Sequence, residues 1–159
     1  MRILGVDPGS HVTGFGIVER GRRGLICIHH GEIRITRAMS FSDCLCLVYE
    51  GLSKAIDESV PDCLAIEDIF YGKNVRSLIK QGHVRGVVIL VGAGKRLPVV
   101  EYTPMEVKKA VVGYGRAEKV QVQKMVQAIL NMPEMPPEDA ADALAVAICH
   151  AHALKGVMV

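Results

Sequence analysis

From Ala140 to Ile148 the chain reads Ala-Ala-Asp-Ala-Leu-Ala-Val-Ala-Ile, which is apolar nearly all round once wound into a helix. A helix without a polar face has to be enclosed by other elements. The segment opened by Pro137 and running to about Leu154 therefore predicts a buried helix, and it carries Asp142 into an interior. An unpaired buried carboxylate costs several kcal/mol or takes up a proton. Glu138 and Asp139 have an ordinary explanation, because acids in a first helical turn face the positive end of the helix dipole. Asp142 does not.

The rest of the chain supplies layers for such a helix. Ile3 to Val6 reads as a strand closed by the turn Asp7-Pro8-Gly9-Ser10. Gly14 to Glu19 and Leu25 to Ile35 read as further strands around Gly21-Arg22-Arg23-Gly24, making an antiparallel meander. Leu45, Val48, Leu52 and Ile56 give helical spacing over Phe41 to Val60, with Ser40 or Ser42 as N-cap. Cys63 to Ile66 is a continuous apolar run of the kind buried on both faces of a sheet.

After a loop from Ile69 to Asn74, a helix is predicted from Val75 to Ala93, with Gly82 and Gly86 four apart on one face. Leu97 to Tyr102 follows as a strand. Thr103-Pro104-Met105-Glu106 has the order of a capping box with proline at the first helical position. That helix runs to Val112, breaks at Gly113-Tyr114-Gly115 and resumes from Ala117 to Leu130. Strands alternating with helices after a meander predict an α/β sandwich with a mixed sheet.

At 159 residues with no repeat or linker, residues 1–159 are expected to form one domain. No run approaches the length of a membrane span, and the acidic start lacks the form of a signal peptide. Cys27, Cys44, Cys46, Cys63 and Cys149 are odd in number without Cys-x-x-Cys spacing. They read as small buried hydrophobes of a reducing cytosol. Cytoplasmic location is the expectation.

Charge is unevenly placed. Lys73 to Lys124 carries eleven Lys/Arg against three Asp/Glu, and the remainder eight against fourteen. A basic middle between acidic ends fits a polyanion met by one face, although a solvated helical surface has the same composition.

Asp7 and Glu67 each end an apolar strand, the usual place for active sites in open α/β sheets. If those strands are parallel neighbours, the two acids meet. Asp139 and Asp142 are three apart on a helix, with Cβ atoms about 5–6 Å apart. Divalent cations such as Mg²⁺ or Mn²⁺ suit hard carboxylate oxygens, and no His/Cys cluster competes for zinc. Clustered acids holding two metals, beside a basic surface for phosphates, point to a nuclease.

Distinctive motifs run the length of the chain: Asp7-Pro8-Gly9-Ser10 with Thr13-Gly14-Phe15-Gly16, then Ile66-Glu67-Asp68-Ile69-Phe70 and Gly72-Lys73-Asn74. Further on come Val107-Lys108-Lys109-Ala110-Val111, Gly113-Tyr114-Gly115-Arg116-Ala117 with Lys119, and Asp139-Ala140-Ala141-Asp142-Ala143-Leu144-Ala145. From the first strand to the last helix, these motifs together resemble the RuvC family of bacterial Holliday junction resolvases. The resemblance implies a ribonuclease-H-like fold, a mixed five-stranded sheet with helices on both faces, as one nuclease domain.

It further implies that Asp7, Glu67, Asp139 and Asp142 are the metal-binding catalytic acids, with two Mg²⁺ per active site (Mn²⁺ substituting). The implied reaction is metal-dependent nicking of two opposed strands of a four-way DNA junction, in recombination and repair. Lys108 and Lys119 match lysines used at the junction and near the scissile phosphate, and Lys108 joins the catalytic set. Phe70 matches an aromatic that stacks on an unpaired base, an interaction worth ~1–3 kcal/mol. Lys73, Arg76, Lys80, Lys109 and Arg116 are expected DNA contacts, and Arg85 lies on the same helical spacing. The family works as a homodimer, which matches the two-fold symmetry of the junction; the Gly82/Gly86 face of the second long helix is the candidate interface, although helix–sheet packing would use the same glycines. The branch-migration proteins RuvA and RuvB are implied partners. Val112 departs from the threonine common in the family, which removes a hydroxyl near the Lys-rich turn.

Two alternatives stand beside this. One is a YqgF-like nuclease acting on RNA, which shares the first acid motif. The other is a junction-binding protein that does not cut.

Overall fold

A computed structural model of the chain describes residues 1–22, 24–36, 38–69 and 74–154. Among these residues five strands make one sheet: β1 (Arg2–Asp7), β2 (Val12–Gly21), β3 (Gly24–Arg34), β4 (Cys63–Glu67) and β5 (Val99–Tyr102). Their order is β3-β2-β1-β4-β5. β1 to β3 form the expected antiparallel meander, while β4 pairs parallel with both β1 and β5. The sheet is mixed and five-stranded, as the resemblance implies.

Among the described residues five helices cover it: α1 (Phe41–Ser59), α2 (Val75–Gly94), α3 (Pro104–Val112), α4 (Lys119–Ile129) and α5 (Glu138–Ala153). On one face Leu4, Val6, Leu64 and Ile66 pack with Val48 and Leu52 of α1 and Val84 and Val88 of α2. On the other, Ile3, Cys63 and Ala65 pack with residues of α3, α4 and α5. The split follows the two-residue period of a strand. Even positions of β1 and β4 face α1 and α2, and odd positions face α5. Asp7 and Glu67 are odd.

α5 can lie on the sheet because the strands beneath it lack side chains at Gly5, Gly14 and Gly16. A Cβ on Gly5 would come within 2.1 Å of the Ala143 carbonyl oxygen, and one on Gly14 within 1.9 Å of that of Asp139. Neither contact is possible for a real side chain, so both positions require glycine for close approach. The enclosure is otherwise as predicted, with every residue from Ala143 to Ala151 buried.

Several boundaries differ from expectation for local reasons. α4 starts at Lys119 rather than Ala117, because Glu118 and Gln121 form a capping box there. β5 starts at Val99, because Arg96 turns left-handed (φ 59°) and the Leu97 amide bonds back to the Gly92 carbonyl. β2 extends to Val12 and Gly21 through its long pairing with β3. Ser40, not Ser42, caps α1. Cys46 is exposed and Cys27 only half-buried, so the reading of all five cysteines as buried holds for Cys44, Cys63 and Cys149. Val112 packs its side chain against the α5-side core, where a hydroxyl would have faced apolar neighbours. Among the described residues no helix is long and apolar enough to cross a membrane.

Candidate active site

Parallel pairing of Ile3 with Cys63 through Val6 with Ile66 brings β1 and β4 to a common end. The next residue on each is an acid, Asp7 and Glu67, on the same face by parity. They are close enough for the charge of Asp7 to act on Glu67, and both line one cleft. α5 then delivers Asp142 from above. Asp7, Glu67 and Asp142 line a cleft of about 290 Å³ with Lys108 of α3 and Lys119 of α4. Pro104, Val107, Val122 and Ala145 complete its lining.

Asp139 stands one turn earlier on α5, half-buried at the rim rather than in the cleft lining. It remains close enough for its charge to act on Asp7. All four sequence-selected acids are thus brought to one end of the sheet.

Enclosure and mutual repulsion raise the pKa of these carboxyls. Burial, then the charges of Asp142 and Asp139, push Asp7 up to about 7. Burial, then Asp7 and Asp142, push Glu67 up to about 8, against the pull of Lys108 and Lys119. Burial also raises Asp142, opposed by Lys119, and raises Asp139, where the next cause is Glu32. Lys119 pairs with Glu138 and lies 3.6 Å from the Asp142 carboxylate. Its own pKa is raised, first by the Glu138 hydrogen bond.

This donor set fits a divalent cation. It consists of hard oxygens, and two buried carboxylates side by side are stable as anions only with positive charge between them. Among the described residues no three Asp, Glu, His or Cys side chains already surround one point as a cage. Asp7, Glu67 and Asp142 line an open cleft instead.

The other sequence-selected residues spread outward. Lys109 and Arg116 are exposed beside the cleft-lining Lys108 and Lys119, and Arg76 and Lys80 are exposed on the first turns of α2. Lys80 sits with its Nζ 5.7 Å from the Phe41 ring centroid, a cation–π contact. Phe70 and Lys73 lie outside the described residues. Arg85 does not belong with the exposed cations: it is 20% exposed and pairs with Glu101 of β5 and with Asp68 at 3.5 Å. It ties α2 to the ends of β4 and β5. Helical spacing alone could not distinguish it from Arg76 and Lys80.

Comparison with known proteins gives a consistent result. A family model described as crossover junction endodeoxyribonuclease RuvC matches residues 3–150. The crossover junction endodeoxyribonuclease RuvC of Syntrophotalea carbinolica is 52% identical over 152 residues, covering 96% of this chain and 94% of that protein. The protein of the same name from Geobacter sulfurreducens is 49% identical over 160 residues, covering 99% and 98%. Among solved structures, T. thermophilus RuvC in complex with Holliday junction substrate superposes with a TM-score of 0.90 at 30% identity, covering 98% of this chain and 96% of that one.

Proposed function

The chain belongs to the RuvC family of crossover junction endodeoxyribonucleases, and from that premise we propose how it cuts. The substrate is a four-way DNA junction, and the reaction is hydrolysis of one phosphodiester in each of two opposed strands. The family depends on a divalent metal, here read as two Mg²⁺ ions with Mn²⁺ able to replace them.

Asp7, Glu67, Asp139 and Asp142 hold the metal. When bound, divalent ions lower the pKa of the attacking water and offset charge on the leaving 3′ oxygen. Asp7 and Glu67 must first give up the protons that burial favours, so loading competes with protonation. Lys119 and Lys108 stand over the same cleft and offset the negative charge that grows on the phosphoryl oxygens. Its paired Glu138 gives Lys119 a fixed direction of approach. The observation that carries the reading is the convergence of Asp7, Glu67 and Asp142 with Lys108 and Lys119 on one cleft.

The substrate is gripped further out by Lys109, Arg116, Arg76 and Lys80, with Phe70 stacking on an unpaired base and Lys73 meeting a phosphate, both by resemblance. The active form is a homodimer through the outer face of α2. Support comes from Ile79 and Leu90, more than half exposed there, and from Gly86, whose missing Cβ would meet nothing within 4 Å. The sheet therefore makes no use of that glycine. The protein works in the cytoplasm beside RuvA and RuvB.

The test is cleavage of a mobile four-way junction with Mg²⁺ and with EDTA, beside a linear duplex of the same sequence. Paired nicks in the junction alone, dependent on metal, are expected. Tight junction binding without nicks would leave a non-cutting binder, and cleavage confined to RNA would favour the YqgF-like alternative.

A further inference from the structure

Two cations flank the first turn of α5, and the chemistry above uses only one of them. On one side stands Lys119, paired with Glu138. On the other, Arg34 ends β3 and pairs through Nη2 with Glu32. The strand register sets Arg34 opposite Val12 and Glu32 opposite Gly14, the glycine on which the Asp139 carbonyl rests.

Residues two apart on a strand share a face. For this pair it is the α5 face, because opposite residues of an antiparallel pair share a face and Gly14, the partner of Glu32, faces α5. The two side chains differ sharply in exposure. Glu32 is 9% exposed and Arg34 70%. An enclosed carboxylate thus fixes one edge of a guanidinium whose remaining donors face solvent. Arginine suits this double engagement, since its planar fork presents five N–H groups.

A strand laid across the Asp7–Glu67–Asp142 cleft has to pass the first turn of α5. Lys108 and Lys119 attend it on the α3 and α4 side, and Arg34 stands on the Asp139 side. Resting on the nuclease reading, we propose that Arg34 is a DNA-binding residue. It takes a backbone phosphate of the strand being cut, on the flank of α5 opposite Lys119, with Glu32 holding its guanidinium in position. Without Arg34, Glu32 would add a further negative charge beside Asp139 and repel that phosphate.

The experiment is equilibrium binding of a four-way junction in EDTA over a range of salt, with a linear duplex alongside. The proteins are wild type, Arg34→Ala, Arg34→Lys, Glu32→Gln and Arg34→Ala combined with Glu32→Gln. Arg22→Ala, in the turn at the opposite end of the sheet, is the control. A phosphate contact predicts that Arg34→Ala binds several-fold more weakly. Its slope of log affinity against log salt should shrink by about 0.9, one phosphate's worth. The double variant should keep the shrunken slope, and Arg34→Lys and Arg22→Ala the full one.

If the double variant regains wild-type affinity and slope, Arg34 merely screens Glu32 and the proposal is overturned. An unchanged slope in Arg34→Ala overturns it too. Should Arg34→Ala fold poorly, Arg34→Gln is put to the same test. A wild type that shows no preference for the junction would sink the resolvase reading instead, while the slopes on duplex would still decide Arg34.

Discussion

Gly14 lies directly beneath Asp139: a Cβ on the glycine would stand 1.9 Å from the Asp139 carbonyl oxygen. The sheet and the acid-bearing turn of α5 are in backbone contact there. Gly14→Ala must therefore push the start of α5 off the sheet. Overpacking of this kind costs about 1–3 kcal/mol, and the displaced turn carries Asp139 and Asp142 with it. The expected result is a lowered melting temperature together with cleavage reduced more than 100-fold at saturating metal. Wild-type cleavage by Gly14→Ala would show that the turn tolerates displacement.

Asp7→Asn keeps the shape of the cleft and removes one metal-binding charge. Junction cleavage should fall to background while junction binding in EDTA stays within a few-fold of wild type. Single-turnover assays and gel-shift titrations read the two separately. Cutting at the wild-type rate would exclude Asp7 from the metal site.

The pH dependence of stability follows from the same acids. Asp7 is raised from an ordinary 3.8 to about 7, and Glu67 from 4.5 to about 8. The folded state binds these protons more tightly than the unfolded one, so their contribution is full below about pH 4 and is lost as pH rises through 7 to 8. In EDTA the melting temperature should therefore drop between pH 5 and pH 8. Asp7→Asn and Glu67→Gln should each flatten that drop. Mg²⁺ should raise the melting temperature more at pH 8 than at pH 6, and cleavage at limiting Mg²⁺ should fall as pH falls below 8. A melting temperature in EDTA that climbs from pH 5 to pH 8 would contradict the enclosed-carboxyl picture.

Lys119→Met leaves Glu138 and Asp142 without the cation between them. Loss of one group that offsets transition-state charge costs about 100-fold or more, so single-turnover cleavage should fall by that much. Junction affinity should change far less, since several other cations hold the DNA. Equal losses in rate and affinity would assign Lys119 to binding alone.

Gly86 sits in a helix interior with open space beside it. Gly86→Ala should stabilise the isolated fold by about 0.5–1 kcal/mol, the ordinary gain in helix propensity. It should at the same time weaken self-association if a second α2 packs there. Leu90→Lys should shift the protein toward monomer. Sedimentation and thermal melts distinguish these effects, and an unchanged association constant in both variants would move the interface elsewhere.

Most of the fold was legible because the chain alternates strong periodic signals with turn residues. Helix α5 stood out by having no polar face, and β4 by being apolar throughout. Parity then put Asp7 and Glu67 on one face, which needed only the parallel pairing of β1 with β4. What the sequence concealed depends on distance across elements. Gly5 and Gly14 look like weak strand residues until α5 is laid over them. Arg85 shares its spacing with Arg76 and Lys80, yet Asp68 and Glu101 claim it. Arg34 and Glu32 look like surface charges on an edge strand, and only the β3 register brings them beside Asp139.

The helix that carries Asp139 and Asp142 is also the most enclosed helix among the described residues. Regions that open locally are those with few buried contacts, and α5 is the opposite. Its amides beyond the first turn should exchange with solvent deuterium only when the whole molecule unfolds. Local breathing cannot detach Asp142 from its helix, and a cavity made under Leu144 or Ile148 would be felt at the cleft. For this chain, keeping the core packed and keeping the acids aligned are one and the same requirement.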